Sequence, residues 1–145
     1  MCASGCFDLL HPGHIRLLEQ ARNLGEILIV AIESDAAVRA RFPKADASIR
    51  NAAARPVTPA GERAEILAAL AAVDYVTEFD GESPYGFLAR LLPDVVVIGG
   101  SAGTNGIAGR DANDLPRLGC KVVRVPLEPG YSTELLIERI LESRS

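Results

Sequence analysis

The stretch that decides the fold of this chain is GCFDLLHPGH, residues 5–14. It joins a short apolar run to an amphipathic helix, and it places His11 and His14 at the turn between them. A glycine at the end of a strand allows a ligand close to the backbone, and free N–H groups at the start of a helix favour an anion. Pro12 suits the first helical position because its missing N–H needs no partner there. The stretch is therefore typical of the phosphate-binding turn of an α/β fold.

The two histidines are three residues apart, so they face the same side of a helix that begins near Pro12. A neutral imidazole donates a hydrogen bond to a phosphate oxygen, and its pKa near neutrality allows either protonation state. We predict that His11 and His14 are the catalytic side chains of a site for a nucleoside triphosphate.

Two other interpretations of these residues remain open. Cys2, Cys6, His11 and His14 could form a zinc site, although the two cysteines are further apart than in a usual zinc knuckle. The histidines could also be structural residues with satisfied hydrogen bonds. Their position among glycines favours the phosphate interpretation, and we expect no metal site built from the protein alone.

The composition indicates a single globular domain over residues 1–145, with 48% hydrophobic and 23% charged residues. The net charge of −4 argues against a general nucleic-acid-binding protein, which needs a basic surface. Three cysteines without a secretory segment indicate a reducing, cytoplasmic environment rather than a disulfide framework. No apolar run approaches the ~20 residues that cross a bilayer, so we expect no membrane contact.

Apolar runs alternate with helical patterns along the chain. The predicted strands are residues 1–5, 26–33, 73–79, 94–98 and 122–125. The predicted helices are residues 12–24, 35–41, a segment after Thr58-Pro59, residues 83–92, and a last helix capped by Ser132 or Thr133.

This alternation predicts a doubly wound α/β fold with a parallel sheet and right-handed crossovers. Residues 26–33 contain a continuous apolar run, which is typical of a parallel strand buried on both faces. Ligands of such sheets bind outside the carboxyl ends of the strands, which places the site at residues 5–14. The polar stretch 42–57 is a candidate lid.

The pattern Gly-x-Phe-Asp-x-x-His-x-Gly-His in residues 5–14 resembles the signature of the cytidylyltransferase-like nucleotidyltransferases. Within them, the chain is most similar to the bacterial heptose 1-phosphate adenylyltransferases, which occur alone or as the C-terminal half of a bifunctional kinase/adenylyltransferase. Further matching segments are residues 29–31 with 34–35, 55–57, 62–63 with 66–70, 73–76, 93–95, 99–100, and 130–133 with 137–140. The resemblance implies a Rossmann-like, three-layer α/β/α domain whose five parallel strands run in the order 3-2-1-4-5.

The resemblance also implies roles for individual residues. His11 and His14 contact the triphosphate and stabilise charge as the α-phosphate is attacked. The residues implied to border the nucleotide or its phosphates are Gly5, Cys6, Phe7, Gly13, Gly99, Gly100, Tyr131, Ser132 and Thr133. For the two glycines after the fourth strand, a tight turn is an equal explanation. Packing, rather than nucleophilic attack, is the expected role of the Cys6 thiol.

Four charged residues are further candidates. Arg63 matches an arginine position of the family and is expected to reach a phosphate, with a solvated helix face as the alternative. Lys44 and Arg55 are candidates for closing over the anions, although Lys44 lies in a segment that departs from the family's Lys-Gly-Pro. Asp8 is expected to hold its turn by accepting backbone N–H groups, rather than to touch the ligand.

The activity implied is transfer of AMP from ATP to D-glycero-beta-D-manno-heptose 1-phosphate, which releases pyrophosphate and gives ADP-heptose. Mg²⁺ is expected to accompany the triphosphate and to keep several of its waters. The alternatives are a cytidylyltransferase that acts on glycerol 3-phosphate or another small phosphorylated alcohol, and a nucleotide-binding module without turnover. Similar enzymes form homodimers or larger assemblies.

Three segments depart from the heptose branch. Residues 98–101 read Ile-Gly-Gly-Ser where Lys-Gly-Gly-Asp is usual, Glu134 stands where a second Thr or Ser is usual, and residues 102–109 are rich in glycine. These changes could alter which phosphorylated acceptor is used, which nucleobase is bound, or the rate of the reaction. Only four residues precede Gly5, which is short for a central strand, so a preceding segment or a kinase domain could be missing.

Overall fold

The computed structural model describes residues 1–42, 54–81, 83–99 and 114–143. Its strands are β1 (Cys2–Gly5), β2 (Ile29–Glu33), β3 (Tyr75–Phe79), β4 (Val95–Gly99) and β5 (Lys121–Val125). Its α-helices are α1 (Pro12–Arg22), α2 (Asp35–Arg41), α3 (Ala60–Ala68), α4 (Tyr85–Leu91) and α5 (Thr133–Glu142). A short 3₁₀ helix covers Leu115–Leu118. The predicted candidates Lys44 and Gly100, and most of the predicted lid at residues 42–57, lie outside the described residues.

The five strands form one parallel sheet in the order β3-β2-β1-β4-β5. The α/β class predicted from the alternating pattern and the strand order implied by the resemblance are both confirmed. The central strand β1 is only four residues long, yet Cys2 lies opposite Ile29 on one side and opposite Val96 on the other. The chain order reverses at β1, so the carboxyl ends of β1 and β4 border the opening between neighbouring crossovers.

The core lies on both faces of the sheet because the central strands are apolar on both sides. On one face, Val30 and Ile32 of β2 pack with side chains from α1 and α3, such as Leu18 and Leu67. On the other face, Ala31 belongs to a second cluster, whose further members include Cys2, Leu88, Val96 and Leu115. The edge strands are more exposed, and the Tyr75 side chain at the start of β3 is the clearest example.

Several element boundaries differ from the prediction. Strands β2 and β3 begin three and two residues later than expected, at Ile29 and Tyr75. Leu28 and Val73 are buried just before them, but their N–H groups bond outside the strand ladder. Leu28 N–H donates to the side-chain carboxylate of Asp74 at 2.7 Å, and Val73 N–H donates to the carbonyl oxygen of Leu70 in a turn at 3.0 Å. An apolar pattern reports burial, not strand pairing. Among the described residues, none of the helices is long and apolar enough to span a membrane.

Candidate functional site

A cleft opens at the carboxyl ends of β1 and β4, against the start of α5. Its wall includes these residues that the sequence predicted: Gly5, Cys6, Phe7, Asp8, His11, Gly13, His14, Arg55, Gly99, Tyr131, Ser132 and Thr133. Residues that the sequence did not single out also line it, among them Arg41, Phe42 and Glu128. The structure thus brings together the turn after β1 and the beginning of the last helix.

His11 and His14 lie in the first turn of α1, which begins at Pro12 with His11 as its N-cap. Their rings stack with centroids 3.7 Å apart and an angle of 21° between the planes. The backbone N–H of His11 donates to Nδ1 of His14 at 3.4 Å. This contact leaves Nε2 of His14 as the position for the ring proton.

Both histidines are held in the neutral form. Burial, together with the nearby His11 and Arg55, lowers the pKa of His14 to about 3, against the opposing charge of Asp8. Burial also lowers the pKa of His11, against the opposing charge of Glu134. Near pH 7 each ring therefore carries one N–H donor and no charge, so the pair can donate hydrogen bonds to phosphate oxygens without bringing two cations into contact.

The backbone of the turn is bent sharply between β1 and α1. Phe7 and Leu9 have positive φ angles of 52° and 48°, a left-handed conformation that non-glycine residues adopt at a cost. The Phe7 side chain is buried and its ring lies 5.4 Å from that of His14, so packing holds the bend. A Cβ at Gly5 would lie 3.3 Å from the Phe7 ring. Gly5 therefore makes room for the chain's own aromatic ring.

Gly13 lets the second half of the site assemble. A Cβ at this position would lie 3.0 Å from both Cε1 and Nδ1 of His11, and 3.3 Å from Cβ of Tyr131. The His11 and Tyr131 rings are nearly parallel, with centroids 6.5 Å apart. Gly13 thus permits α1 to approach the segment that precedes α5. Gly99 has a similar role on the other side, because its Cβ would lie 3.1 Å from Leu17 of α1.

Asp8 is a buried carboxylate that connects the turn to a distant segment. It accepts the backbone N–H groups of Val57 at 2.9 Å and Thr58 at 3.0 Å, and Nε of Arg55 at 3.3 Å. Its structural role agrees with the prediction, but its partners do not. We expected Asp8 to bond within its own turn, whereas the two N–H donors lie 49 and 50 residues further along the chain.

Arg63 is placed differently from the prediction. Its side chain is fully buried, and it donates to the carbonyl oxygens of Cys6 at 2.6 Å and Thr58 at 2.9 Å, and to the Asp35 carboxylate at 2.7 Å. It is absent from the cleft wall. Neither a phosphate contact nor a solvated helix face describes it, because these three acceptors hold the guanidinium behind the turn.

Arg55 and Arg41 are the two arginines that line the cleft among the described residues. The Arg55 guanidinium lies 4.4 Å from the centroid of the Phe42 ring and pairs with Glu134 at 2.7 Å. Arg41 lies 4.8 Å from the same ring and pairs with Glu33. One signal in the sequence could have identified Arg41: it ends the short helix that follows the buried strand β2, so it lies near the same edge of the sheet.

The start of α5 contributes polar groups to the cleft. Ser132 is the N-cap, and its hydroxyl oxygen accepts the N–H of Leu135 at 3.1 Å. The hydroxyl of Thr133 donates to the carbonyl oxygen of Asp8 at 2.9 Å. This bond ties α5 to the turn after β1, so both predicted residues lie at the cleft but their hydroxyls already have partners within the chain.

The cysteines act as packing residues in the described part of the chain. Burial raises the pKa of the Cys6 thiol, although Arg55 and Arg63 oppose this. Burial also raises the pKa of Cys2 to about 12. Within residues 1–42, 54–81, 83–99 and 114–143, no three side chains of the metal-binding types are grouped to hold an ion.

Comparisons with known sequences show the family of the chain. Residues 2–139 match the family described as cytidylyltransferase-like. The bifunctional protein HldE of Koribacter versatilis is 44% identical over 136 residues, which are 94% of this chain and 26% of that protein. The HldE protein of Citrifermentans bemidjiense is 40% identical over 140 residues, 97% of this chain and 26% of that protein. The chain thus spans about a quarter of the length of these relatives.

Solved structures share the fold. A lipopolysaccharide core biosynthesis protein from Thermoplasma volcanium superposes with a TM-score of 0.64 at 23% identity, over 88% of this chain and 93% of that one. A pantothenate synthetase from Thermus thermophilus has a TM-score of 0.51 at 20% identity, over 86% of this chain and 55% of that one. At these identities the likeness concerns the fold alone.

Proposed function

Because the chain belongs to the cytidylyltransferase-like family, we propose that it is an adenylyltransferase that transfers AMP from ATP to a sugar 1-phosphate. The proposed acceptor is D-glycero-beta-D-manno-heptose 1-phosphate, and the products are ADP-heptose and pyrophosphate. The observation that carries the proposal is the stacked, neutral pair of His11 and His14 at the N-terminus of α1, inside the cleft.

The proposed reaction is an in-line displacement at phosphorus. A phosphate oxygen of the acceptor attacks the α-phosphorus of ATP, a new P–O bond forms, and the bond to the pyrophosphate leaving group breaks. Negative charge grows on the leaving oxygens, and the N–H donors of His11 and His14 are placed to receive it. No covalent enzyme intermediate is needed, which agrees with the buried, protonated Cys6 thiol. Catalysis then consists of positioning and charge stabilisation.

The charges of the cleft support a requirement for Mg²⁺. Among the described residues, its wall carries the cations Arg41 and Arg55 and the carboxylates Asp8, Glu128 and Glu134. This set does not neutralise a triphosphate, and Mg²⁺ bound with the substrate would supply the missing positive charge. Carboxylate oxygens are suitable ligands for a Mg²⁺ ion that keeps several waters, so Glu128 is the residue we propose to face it.

A pyrophosphate-release screen tests the proposal. Four nucleoside triphosphates are crossed with heptose 1-phosphate, glycerol 3-phosphate and other sugar and polyol phosphates. We expect release with ATP only when the heptose phosphate is added. Release with CTP and glycerol 3-phosphate would establish the cytidylyltransferase alternative. Calorimetric binding of a triphosphate without release under any condition would identify a binding module without turnover.

The histidines provide the matched variants. His14→Asn removes the Nε2 donor, and we expect kcat to fall by about 100-fold or more. Gln20→Ala, on the exposed side of the same helix, is the control and is expected to keep the wild-type kcat. Equal activity of the two variants would refute the site assignment.

We also propose that the chain forms a homodimer or a larger assembly. The exposed apolar side chains of Leu135 and Ile140 on α5 support this proposal, and light scattering tests it.

A further inference from the structure

Glu134 and Arg55 form an ion pair at the cleft, with Oε1 of Glu134 2.7 Å from Nη1 of Arg55. The two side chains differ in how firmly they are held. The Arg55 side chain is only 11% exposed, and it is fixed by the Asp8 carboxylate and the Phe42 ring. The Glu134 side chain is 59% exposed. Of the two, Glu134 is the partner that is free to leave.

Asp8 cannot be displaced from Arg55 in the same way. Its carboxylate is fully buried, and both oxygens already accept backbone N–H groups, from Val57 and Thr58. Moving it would leave the N–H groups of Val57 and Thr58 without acceptors, which is costly for buried donors. In the described part of the chain, the Glu134 carboxylate makes only the bond to Arg55. An incoming anion therefore competes with Glu134, not with Asp8.

Glu134 also sits where an anion is favoured for a second reason. It is the second residue of α5, whose first N–H groups have no acceptor within the helix. The N–H of Leu135 is already bonded to the Ser132 hydroxyl oxygen, whereas those of Thr133 and Glu134 lie in the first turn, where the helix dipole attracts negative charge. The charge of Glu134 also opposes the lowering of the His11 pKa by burial. The carboxylate thus occupies the cationic side of the proposed phosphate site.

We infer that Glu134 is an internal competitor of the substrate phosphates for Arg55, and that it sets how tightly the site binds polyanions. The inference rests on the proposed function. A phosphate that binds Arg55 must displace the carboxylate or lie beside it, and both weaken binding. Because repulsion grows with ligand charge, the effect is largest for triphosphates and pyrophosphate and smallest for nucleoside monophosphates.

The test compares Glu134→Gln with the matched control Glu138→Gln. Both variants remove one negative charge from exposed positions on α5, one turn apart, but only the first removes the partner of Arg55. Calorimetry with pyrophosphate, ATP and AMP, each without and with Mg²⁺, measures affinity. We expect Glu134→Gln to bind pyrophosphate and ATP about three- to tenfold more tightly than wild type in the absence of Mg²⁺. The gain for AMP is expected to be below about twofold, and Glu138→Gln is expected to match wild type.

A double-mutant cycle separates competition at Arg55 from general repulsion. In an Arg55→Gln background, the gain from Glu134→Gln is expected to shrink to less than half, because the shared partner is gone. An undiminished gain would mean that Glu134 acts only through its charge, and would overturn the inference. So would weaker binding by Glu134→Gln, which would make Glu134 a residue that orients Arg55 for the ligand.

A failure of the proposed function would give a different result from a failure of the inference about Glu134. If wild type, Glu134→Gln and Glu138→Gln all fail to bind pyrophosphate and ATP with Mg²⁺, the site is not a triphosphate site, and both proposals fall. If wild type binds and Glu134→Gln binds equally well, the proposed function stands and the inference alone is refuted.

Discussion

The guanidinium of Arg63 donates a hydrogen bond to the backbone carbonyl oxygen of Cys6 across 2.6 Å, behind the wall of the cleft. The two residues are 57 positions apart in the chain. The same guanidinium reaches Thr58 and Asp35, so one buried cation joins the turn after β1 to the segment before α3 and to the start of α2. Arg63 therefore supports the site from behind.

Replacing Arg63 by lysine is expected to lower the free energy of unfolding by about 2–4 kcal/mol. A lysine keeps the charge, but its single ammonium group cannot bond to all three acceptors, which lie in different directions from the Arg63 guanidinium. At least one buried acceptor therefore loses its partner. Urea unfolding measures the loss. Arg90→Lys, on the exposed side of α4, is the control and is expected to stay within about 0.5 kcal/mol of wild type. Equal effects of the two substitutions would disprove the role given to Arg63.

The low pKa of His14 predicts how the ring behaves on titration. The chain contains two histidines, so two ring signals are expected by NMR, and His11→Gln assigns them. Burial holds the pKa of His14 near 3, so its signal is expected to stay constant from pH 8 to pH 5. A midpoint near 6.5 for this ring would contradict the buried, stacked geometry.

Stability is expected to follow the same titration. The pKa of His14 is about 3 in the folded state and about 6.5 in the unfolded chain, so the unfolded chain binds more protons below pH 6.5. The contribution of His14 to the free energy of unfolding is therefore complete above pH 6.5. It is lost as pH falls below 6.5, with a slope of at most about 1.4 kcal/mol per pH unit. His11 changes the free energy of unfolding with pH in the same direction, because burial lowers its pKa too. Glu33 changes it in the opposite direction, because burial raises the pKa of this carboxyl. Between pH 6.5 and pH 5, the free energy of unfolding of His14→Gln is therefore expected to depend less on pH than that of wild type.

Asp8→Asn is expected to destabilise the protein by about 2–4 kcal/mol. The amide keeps one acceptor oxygen, but its NH₂ group meets either an N–H of residues 57–58 or the Arg55 guanidinium, where an acceptor is needed. Urea unfolding gives the overall loss, and faster amide hydrogen exchange at Val57 and Thr58 locates it.

Asp114→Asn is the matched control for Asp8→Asn. The Asp114 side chain is 41% exposed and pairs with Arg117, which is more exposed still. A pair of this kind contributes little, so the change is expected to stay below about 0.5–1 kcal/mol. If both variants lose the same small amount, or if exchange at Val57 and Thr58 is unchanged in Asp8→Asn, the connecting role of Asp8 is wrong.

The sequence predicted those parts of the fold that depend on local patterns. The apolar runs identified β2 and β4 because both are buried on two faces. Glycine, proline and the histidine spacing located the start of α1. The 3₁₀ helix Leu115–Leu118 was missed because four residues carry no periodicity that distinguishes them from a loop. The strand order came from the resemblance, since periodicity does not report which strands are neighbours.

The same division applies to the site. His11 and Gly13 were predicted to lie at the cleft because their positions follow from a single turn. The partners of Asp8 and the burial of Arg63 were not, because they depend on residues about 50 positions away that only the folded sheet brings close. A charged residue in a helical pattern is usually solvated, and nothing local marks the exception.

Gly13→Ala tests whether the close approach of α1 to the start of α5 matters for activity. The new methyl group would lie 3.0 Å from the His11 ring and 3.3 Å from Cβ of Tyr131, so His11 must shift. We expect kcat/KM for pyrophosphate release to fall by about 10- to 100-fold, because a small displacement of a catalytic group is costly. The free energy of unfolding is expected to change by less than about 1 kcal/mol, because alanine favours the helix while the contact opposes it.

Gly61→Ala separates the helical preference of alanine from the contact of the new methyl group with His11. Gly61 lies in α3, and a Cβ there would have no neighbour within 4 Å. This variant gains the helical preference of alanine, up to about 1 kcal/mol of stability, without touching the site. Its kcat/KM is expected to equal that of wild type. Should Gly13→Ala and Gly61→Ala both retain full activity, His11 would not need its observed position, and the stacked pair could not be the catalytic feature of the cleft.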